Sequence, residues 1–351
     1  MPPKAIPDQE GLKVLEQDLN SGKPGKLYLF YGEETYLRDH YLGRLREQLL
    51  AGGMGTFNLH QLSARDMSPH ALEEAVDCLP MMGERTLVQV TDYDPFKAGE
   101  KDREGYLRIL SQLPDYCCLV FLYDLIEYKR DARTKLAAAL KQHGTAVNFC
   151  RQEQGKLERW IQTRFRALGK EISAALARDL IFLCGDLMTT LISEIEKIAA
   201  YAQGKRITRE DVEAVATPRL EAVVFGMTDA ISRGDFDQAA CVLGSLYQRQ
   251  EKTIKLMGTL GWQLRQLYSA RLTLESGRGK GYLVSLWGLR EFQAEKLLSS
   301  ARRLSLDWCR QGVIRCAQTD LAMKSTGISE QGRQELIVNL LLELAASRQE
   351  G

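Results

Sequence analysis

The first 150 residues alternate short apolar runs, rich in β-branched and aromatic side chains, with stretches of helical periodicity. This alternation is typical of an α/β layer built on a largely parallel sheet. The predicted strands are Leu27–Gly32, Thr56–Ala64, Thr86–Tyr93, Tyr116–Tyr123 and Ala146–Cys150. The predicted helices are Tyr36–Leu50, a helix running from Ser68 towards Leu79, Arg103–Leu113 and Asp131–Lys141. Ser68 is expected to cap its helix, with Pro69 at the first helical position.

The pattern changes after Cys150, where the strand signal fades. From Leu157 to Ala346 the apolar positions follow helical periodicity, so we expect the remainder to be all-helical. Thr208-Arg-Glu-Asp211 has the form of a capping box that opens one of these helices. Pro218 disfavours helical geometry at Thr217, which predicts a domain boundary there. The predicted parts are an α/β domain (1–150), a small helical domain (151–217) and a helical bundle (218–351).

The overall composition excludes some classes of protein. Hydrophobic residues make up 44% and charged residues 26%, which is enough apolar surface for a folded core and argues against disorder. No stretch is apolar enough to span a membrane, and the first residues lack an apolar signal core, so we expect a cytoplasmic protein. The formal net charge is only +1, so contact with nucleic acid would need a local basic patch.

The cysteines and histidines do not form a recognisable metal-binding or catalytic group. Cys117 and Cys118 are adjacent in a predicted strand and therefore point to opposite faces. Cys309 and Cys316 are too far apart along a predicted helix to form a close ligand pair. We therefore expect reduced thiols that pack in the core, no metal site and no catalytic residue. The histidines, which we assign to surface or packing positions, are His40, His60, His70 and His143.

A nucleotide-binding loop is not found in this sequence. A Walker A loop requires Gly-x-x-x-x-Gly-Lys-Ser/Thr, because its amides and lysine surround the phosphates and its hydroxyl holds magnesium. Where that loop would lie, the chain reads Tyr31-Gly-Glu-Glu-Thr-Tyr-Leu37, with Glu33 and Glu34 in the turn. Leu119–Asp124 resembles a Walker B strand, but Leu125 follows in place of a second carboxylate. We therefore expect no nucleotide cofactor.

Basic residues in the helical half are candidates for DNA contact. The candidate residues are Arg249, Lys252, Arg278 and Lys280, the last two in the predicted loop Ser276–Gly281. Such residues could neutralise phosphates, or they could form an ordinary solvated face. Interleaved aromatic residues are not evident, so sequence-specific reading of bases is not expected.

Leu79, Met81 and Met82 form an apolar cluster around Pro80, at the end of the helix that starts after Ser68. Apolar side chains at such a turn could plug the core. Alternatively, methionines at a helix tip could insert into a partner's pocket, because methionine suits adaptable binding surfaces.

Taken together, several segments resemble the delta-subunit family of clamp loaders. These segments are Leu27–Leu37, Leu79–Val88, Leu191–Ala202, Ile207–Val212, Val224–Ala230, Gly234–Ala239 and Asp320–Ser325. The resemblance implies an AAA+-like α/β domain with a RecA-type parallel sheet and no working nucleotide site. It further implies that residues 151–217 form a three-helix lid and that residues 218–351 form a helical collar.

The resemblance also implies a function. Members of the family bind the β sliding clamp through a consecutive apolar pair, which falls on Met81 and Met82 here, with Leu79 beside them. Members often carry an aromatic residue at the second position, where this chain has Met82. The implied partners are the clamp, the gamma/tau and delta prime subunits through the collar, and primed DNA in the assembled loader. The expected location is the nucleoid-associated replisome, and polymerase activity would belong to the holoenzyme rather than to this subunit.

Two other hypotheses remain open from the residues alone. The chain could be an active AAA+ ATPase or helicase loader with a divergent loop, which would require nucleotide affinity near Gly32. It could instead be a DNA-binding helical scaffold whose α/β domain is only structural.

Overall fold

The computed structural model describes residues 10–51, 55–128, 135–325 and 327–349. The described residues divide into two compact units. Unit 1 lies within residues 1–152 together with 187–189, and unit 2 lies within residues 153–186 and 190–351. The finer division of unit 2 at Thr217 into a lid and a collar stays a prediction.

Unit 1 is built on a five-stranded sheet with the order β2-β3-β4-β1-β5. The strands are β1 (Leu27–Tyr31), β2 (Leu59–Ser63), β3 (Thr86–Thr91), β4 (Cys117–Leu122) and β5 (Thr145–Asn148). All the described strand pairs are parallel. Every strand therefore begins at one edge of the sheet and ends at the other, which gives unit 1 two chemically distinct edges.

The five predicted strands are confirmed, with one correction at β2. The predicted strand started at Thr56, but Gly55–Asn58 form a 3-10 turn and β2 begins only at Leu59. Gly55 lies so close to the carbonyl oxygen of Leu50 that any Cβ would collide with it, and this close approach turns the chain before the strand begins.

Helices cover both faces of this sheet. They are α1 (Glu10–Ser21), α2 (Thr35–Leu49), α3 (Pro69–Asp77), α4 (Glu100–Ser111) and α5 (Lys135–His143). The core on one face includes Leu72, Tyr106 and Cys117, and the core on the other includes Leu45 and Cys118. The prediction that the adjacent cysteines point to opposite faces is confirmed. The first four residues of the predicted helix Asp131–Lys141 lie outside the described residues, and α1 was not predicted at all.

Unit 2 is helical throughout its described length, apart from an isolated bridge between Glu171 and Arg206. Its helices are α6 (Gln154–Ala167), α7 (Ala174–Cys184), α8 (Met188–Tyr201, starting in unit 1), α9 (Arg209–Val215), α10 (Leu220–Arg233), α11 (Phe236–Gln248), α12 (Thr253–Glu275), α13 (Lys280–Trp287), α14 (Glu291–Ala301), α15 (Leu306–Met323) and α16 (Glu330–Gln349). The capping box predicted at Thr208 and Asp211 is confirmed at the start of α9. None of the described helices is long and apolar enough to cross a membrane.

The cysteines follow the core prediction only in part. All eight are free thiols, and those in β4, α7 and α15 are buried. Cys78 and Cys241 are exposed, so the expectation of core packing is wrong for these two. Within the described residues, no group of three His, Cys, Asp or Glu side chains could hold a metal ion.

Candidate functional site

The apolar cluster lies on the loop Cys78–Arg85, which joins α3 to β3 and is called the methionine loop below. Because β3 begins at Thr86, this loop lies at the edge of the sheet where the parallel strands begin. Ser68 caps α3 as predicted, since its hydroxyl oxygen accepts a hydrogen bond from the Ala71 amide at 3.1 Å. The helix ends at Asp77, short of the predicted Leu79. Cys78 is already extended, and Pro80 disfavours helical geometry at Leu79.

The three candidate side chains of the methionine loop are on the surface of unit 1. Leu79 is 69% exposed, Met81 54% and Met82 85%. A core plug would be shielded from water, so that alternative is wrong for all three residues. Three large apolar side chains on one short loop form the kind of exposed apolar surface that marks interaction sites.

The backbone of the loop is held by a buried asparagine from a different segment. The side-chain oxygen of Asn58 accepts a hydrogen bond from the Met81 amide at 2.7 Å, and its side-chain nitrogen donates to the Met81 carbonyl at 3.1 Å. Asn58 itself is buried. Gly83 packs so tightly on this amide that a Cβ there would lie 2.9 Å from the Asn58 nitrogen. The loop therefore presents its side chains from a fixed backbone, which lowers the entropy cost of binding.

Both ends of the methionine loop are also anchored. The Arg85 guanidinium donates hydrogen bonds to the carbonyl oxygens of Pro24 at 2.6 Å, and of Gly25 and Cys117 at 3.2 Å. At the other end, the Tyr116 hydroxyl donates to the carbonyl of Asp77, the last residue of α3, at 3.2 Å.

Met82 has a left-handed backbone conformation, with φ of 51°. Such a conformation is rare in residues other than glycine, asparagine and aspartate, and it costs on the order of 1–3 kcal/mol. Here it belongs to the most exposed of the three apolar side chains. This strained backbone positions a side chain that does not pack in the core, so the strain does not serve core packing. That favours a binding role for Met82.

The opposite edge of the sheet is where a nucleotide would bind in an AAA+ protein, and it contains a cleft of about 760 Å³. Two amides of its loop are already hydrogen-bonded within the protein. The amide of Glu34 donates to the Phe149 carbonyl at 2.9 Å, and the amide of Tyr36 donates to the Thr189 hydroxyl at 3.3 Å. The Glu34 carboxylate is buried and accepts hydrogen bonds from the Met188 amide at 3.1 and 3.2 Å. A buried acidic side chain thus lies in the loop where a Walker A sequence would have phosphate-binding amides and a lysine.

The Walker B-like strand also ends in a structural contact. Asp124 accepts a hydrogen bond from the buried Arg38 guanidinium at 2.6 Å, and Arg38 also contacts Asp39 at 3.0 Å. Although burial disfavours the charged guanidinium, these hydrogen bonds raise the pKa of Arg38. Next to them, Glu33 pairs with Arg151 at 2.6 Å. Asp124 and Glu33 are therefore each engaged by an arginine of the chain itself.

The four candidate DNA-contacting residues of unit 2 do not form one patch. Arg249 and Lys252 precede α12, whereas Arg278 and Lys280 follow it. Since α12 has 23 residues, roughly 34 Å separates its ends at 1.5 Å per residue. Arg278 is exposed and lies over the ring of Tyr282, 4.6 Å from its centroid.

Lys280 differs from Arg278 because it is engaged by two acids. Its ammonium contacts the carboxylates of Glu295 at 2.6 Å and Glu291 at 3.0 Å. These hydrogen bonds raise the pKa of Lys280 and, reciprocally, lower that of Glu295. A phosphate would have to compete with both carboxylates for this lysine.

Unit 2 also carries aromatic residues that the sequence analysis did not find. Trp262 of α12 and Trp287 of α13 pack edge to face with ring centroids 4.8 Å apart. Tyr282 and Trp262 are both exposed. The two tryptophans are distant in the sequence, so only the packing of α13 on α12 brings them together. Trp262 lies near the middle of α12, whereas Tyr282 lies beside the candidate basic residue Arg278. The expectation that no aromatic residues are interleaved with the basic ones for reading bases stays a prediction.

A further apolar surface lies between α11 and α16. A groove of about 240 Å³ is lined almost entirely by apolar atoms of both helices, including Phe236, Leu243, Val338, Leu341 and Leu342. Val338 and Leu342 of α16 are exposed to solvent.

A parallel sheet of order β2-β3-β4-β1-β5, covered by helices and followed by a helical region, defines an AAA+-like protein with a RecA-type sheet. In this chain the nucleotide edge of that sheet lacks the phosphate-binding loop. Two family models match the chain: "DNA polymerase III, delta subunit" over residues 28–150 and "DNA polymerase III delta subunit, C-terminal domain" over residues 221–342. The chain belongs to the DNA polymerase III delta subunit family.

Comparison with individual proteins gives the same result. The chain is 26% identical over 337 residues to the DNA polymerase III subunit delta of Bacillus subtilis strain 168, covering 93% of this chain and 95% of the relative. It is 24% identical over 265 residues to the probable DNA polymerase III subunit delta of Aquifex aeolicus strain VF5, covering 73% and 74%. The solved structure of the Bacillus subtilis DNA clamp loader delta protein matches with a TM-score of 0.58 and 23% identity, covering 95% of this chain and 99% of that one.

Proposed function

We propose that this chain binds the β sliding clamp through Leu79, Met81 and Met82 and opens the ring for loading onto primed DNA. The observation that carries the proposal is the methionine loop, on which three exposed apolar side chains extend from a backbone fixed by Asn58 and Arg85. A fixed loop with flexible apolar side chains suits insertion into an apolar pocket of a folded partner.

We propose further that the chain neither binds nor hydrolyses ATP. This is supported by the hydrogen bonds at the nucleotide edge, where protein groups use the amides of Glu34 and Tyr36. The buried Glu34 carboxylate would repel a phosphate placed beside it. Asp124 is likewise engaged by Arg38 rather than free to hold magnesium.

A subunit without ATP chemistry can open the clamp only through differential binding. It must bind the open or strained ring more tightly than the closed ring, because a ligand shifts an equilibrium only by its difference in affinity for the two states. The methionine loop is the proposed source of that difference.

The remaining partners are other clamp-loader subunits and DNA. We propose that residues 218–351 form the collar that assembles with gamma/tau and delta prime subunits, and that residues 151–217 form the lid. The apolar groove between α11 and α16 supports the collar assignment, since it provides a surface for a neighbouring subunit. Primed DNA would contact the two ends of α12 separately, at Arg249 with Lys252 and at Arg278 with Lys280. Such a subunit would act in the cytoplasm, at the nucleoid-associated replisome.

Co-elution of the purified chain with the sliding clamp of the same organism tests the central proposal. At micromolar concentrations we expect a complex on size-exclusion chromatography. Failure to form that complex would remove the proposed function. A saturable calorimetric signal with magnesium-ATP would instead favour an active AAA+ ATPase.

A further inference from the structure

Another exposed apolar side chain, Phe57, lies on the 3-10 turn Gly55–Asn58 that leads into β2. Its side chain is 62% exposed, whereas that of the next residue, Asn58, is buried. Single exposed apolar residues are common on protein surfaces, so exposure alone says little. The position of Phe57 relative to the methionine loop is what makes it informative.

The turn and the methionine loop are adjacent parts of one edge of the sheet. Strands β2 and β3 are neighbours in parallel register, with Leu59 opposite Leu87, so the segments that precede them lie side by side. The two hydrogen bonds between Asn58 and the backbone of Met81 join these segments directly.

The turn is also fixed from its other side. Gly55 approaches the carbonyl oxygen of Leu50 too closely to tolerate a side chain. Phe57 is therefore presented from a backbone held at Leu50 and at Met81. Apolar and aromatic anchors on fixed backbone are typical of the residues that dominate protein interfaces.

We infer that Phe57 belongs to the same contact surface as Leu79, Met81 and Met82 and packs directly against the sliding clamp. This inference rests on the proposed function and extends it, because it makes the clamp-binding surface discontinuous in sequence. The partner chemistry is an apolar area of the ring that lies beside the pocket taken by the methionines. Asn58 positions the two segments relative to one another without touching the clamp.

The first test compares clamp affinity among four forms of the full chain: wild type, Phe57→Ser, Leu125→Ser, and the double variant Met81→Ser with Met82→Ser. Leu125 is the matched control, since it is even more exposed than Phe57 but follows β4 at the opposite edge of the sheet. We expect Phe57→Ser to weaken binding about 5- to 30-fold, from burial of the exposed part of one aromatic side chain. Leu125→Ser should leave affinity unchanged.

A second measurement does not depend on affinity. Phe57→p-benzoylphenylalanine introduces a photo-crosslinker, and irradiation of the complex should join position 57 covalently to the clamp. If Phe57→Ser binds like wild type, and position 57 gives no crosslink while position 82 does, Phe57 lies outside the interface and the inference is wrong while the proposed function stands. If the wild-type chain itself does not bind the clamp, both are wrong.

Discussion

Replacing both methionines of the loop is expected to weaken clamp binding severely without unfolding the chain. Burying a methionine side chain fully is worth about 1.5–3 kcal/mol. Scaling this value by the exposed fractions of 54% for Met81 and 85% for Met82 gives roughly 2–4 kcal/mol for the pair. That free energy corresponds to a loss of about thirty- to a thousandfold in affinity.

The fold should survive the double change Met81→Ser and Met82→Ser. Neither side chain belongs to a buried core. The hydrogen bonds from Asn58 reach the backbone of Met81 and do not involve the Met81 side chain. The positive φ of Met82 is about as unfavourable for serine as for methionine. The thermal midpoint of unfolding should therefore stay close to that of the wild type.

Two assays check the double variant: clamp affinity by surface plasmon resonance, and the rate at which the chain unloads clamps from circular DNA. Leu125→Ser provides a matched control, because it removes an 88% exposed side chain from the other edge of the same unit. Unfolding of the double variant would mean that the methionines stabilise the core after all. A folded double variant that unloads clamps at the normal rate would mean that the clamp is gripped elsewhere.

Three further predictions concern nucleotide, DNA and oxidation. Calorimetric titration of the chain with magnesium-ATP should be flat, and a saturable signal would contradict the assigned role of the nucleotide edge. In the assembled loader, Arg278→Ser should reduce the salt dependence of binding to primed DNA more than Lys280→Ser does, because Lys280 already pairs with two glutamates. Equal effects of the two substitutions, or no effect of either, would mean that the DNA contact is assigned to the wrong residues. Peroxide should weaken clamp binding by converting exposed methionines to polar sulfoxides, methionine sulfoxide reductases should restore it, and a variant with Met81→Leu and Met82→Leu should resist.

The strands of unit 1 could be predicted because strands buried on both faces appear as continuous apolar runs. Leu27–Tyr31 and Cys117–Leu122 are almost fully buried and were found nearly to the residue. The turn before β2 was missed because Thr56 and Phe57 have high strand propensity, whereas the chain forms a 3-10 turn there that packs closely on Leu50.

The candidate binding residues could be located in the sequence, but their exposure could not be predicted from it. Leu79, Met81 and Met82 would look the same in a core plug as in a binding loop, since composition does not determine exposure. Their exposure depends on Asn58, which is distant in sequence and holds the backbone from another segment. Phe57 had no signal of its own, because its relation to the loop arises only from the pairing of β2 with β3.

The distances between the basic residues of unit 2 could not be predicted from the sequence. Their recurrence along the sequence fitted either a phosphate-neutralising lining or an ordinary solvated face, and the 23-residue helix α12 separates the residues that flank it. The length of α12 places Arg249 and Arg278 too far apart for a single phosphate contact. This distance can be calculated from the sequence only when the helix is known to be continuous.

The parallel sheet separates the edge where AAA+ proteins bind nucleotide from the edge that carries the methionine loop. The loop Glu33–Thr35 follows β1 at the edge where strands end, whereas the methionine loop precedes β3 at the edge where strands begin. A strand of six residues, such as β3, spans about 20 Å. The loop that contains the buried Glu34 and the methionine loop are therefore separate surfaces of unit 1. If the chain acts in a clamp loader as proposed, a nucleotide bound by another subunit would not lie beside the methionine loop, and its effect on the clamp would have to be transmitted through the rest of unit 1.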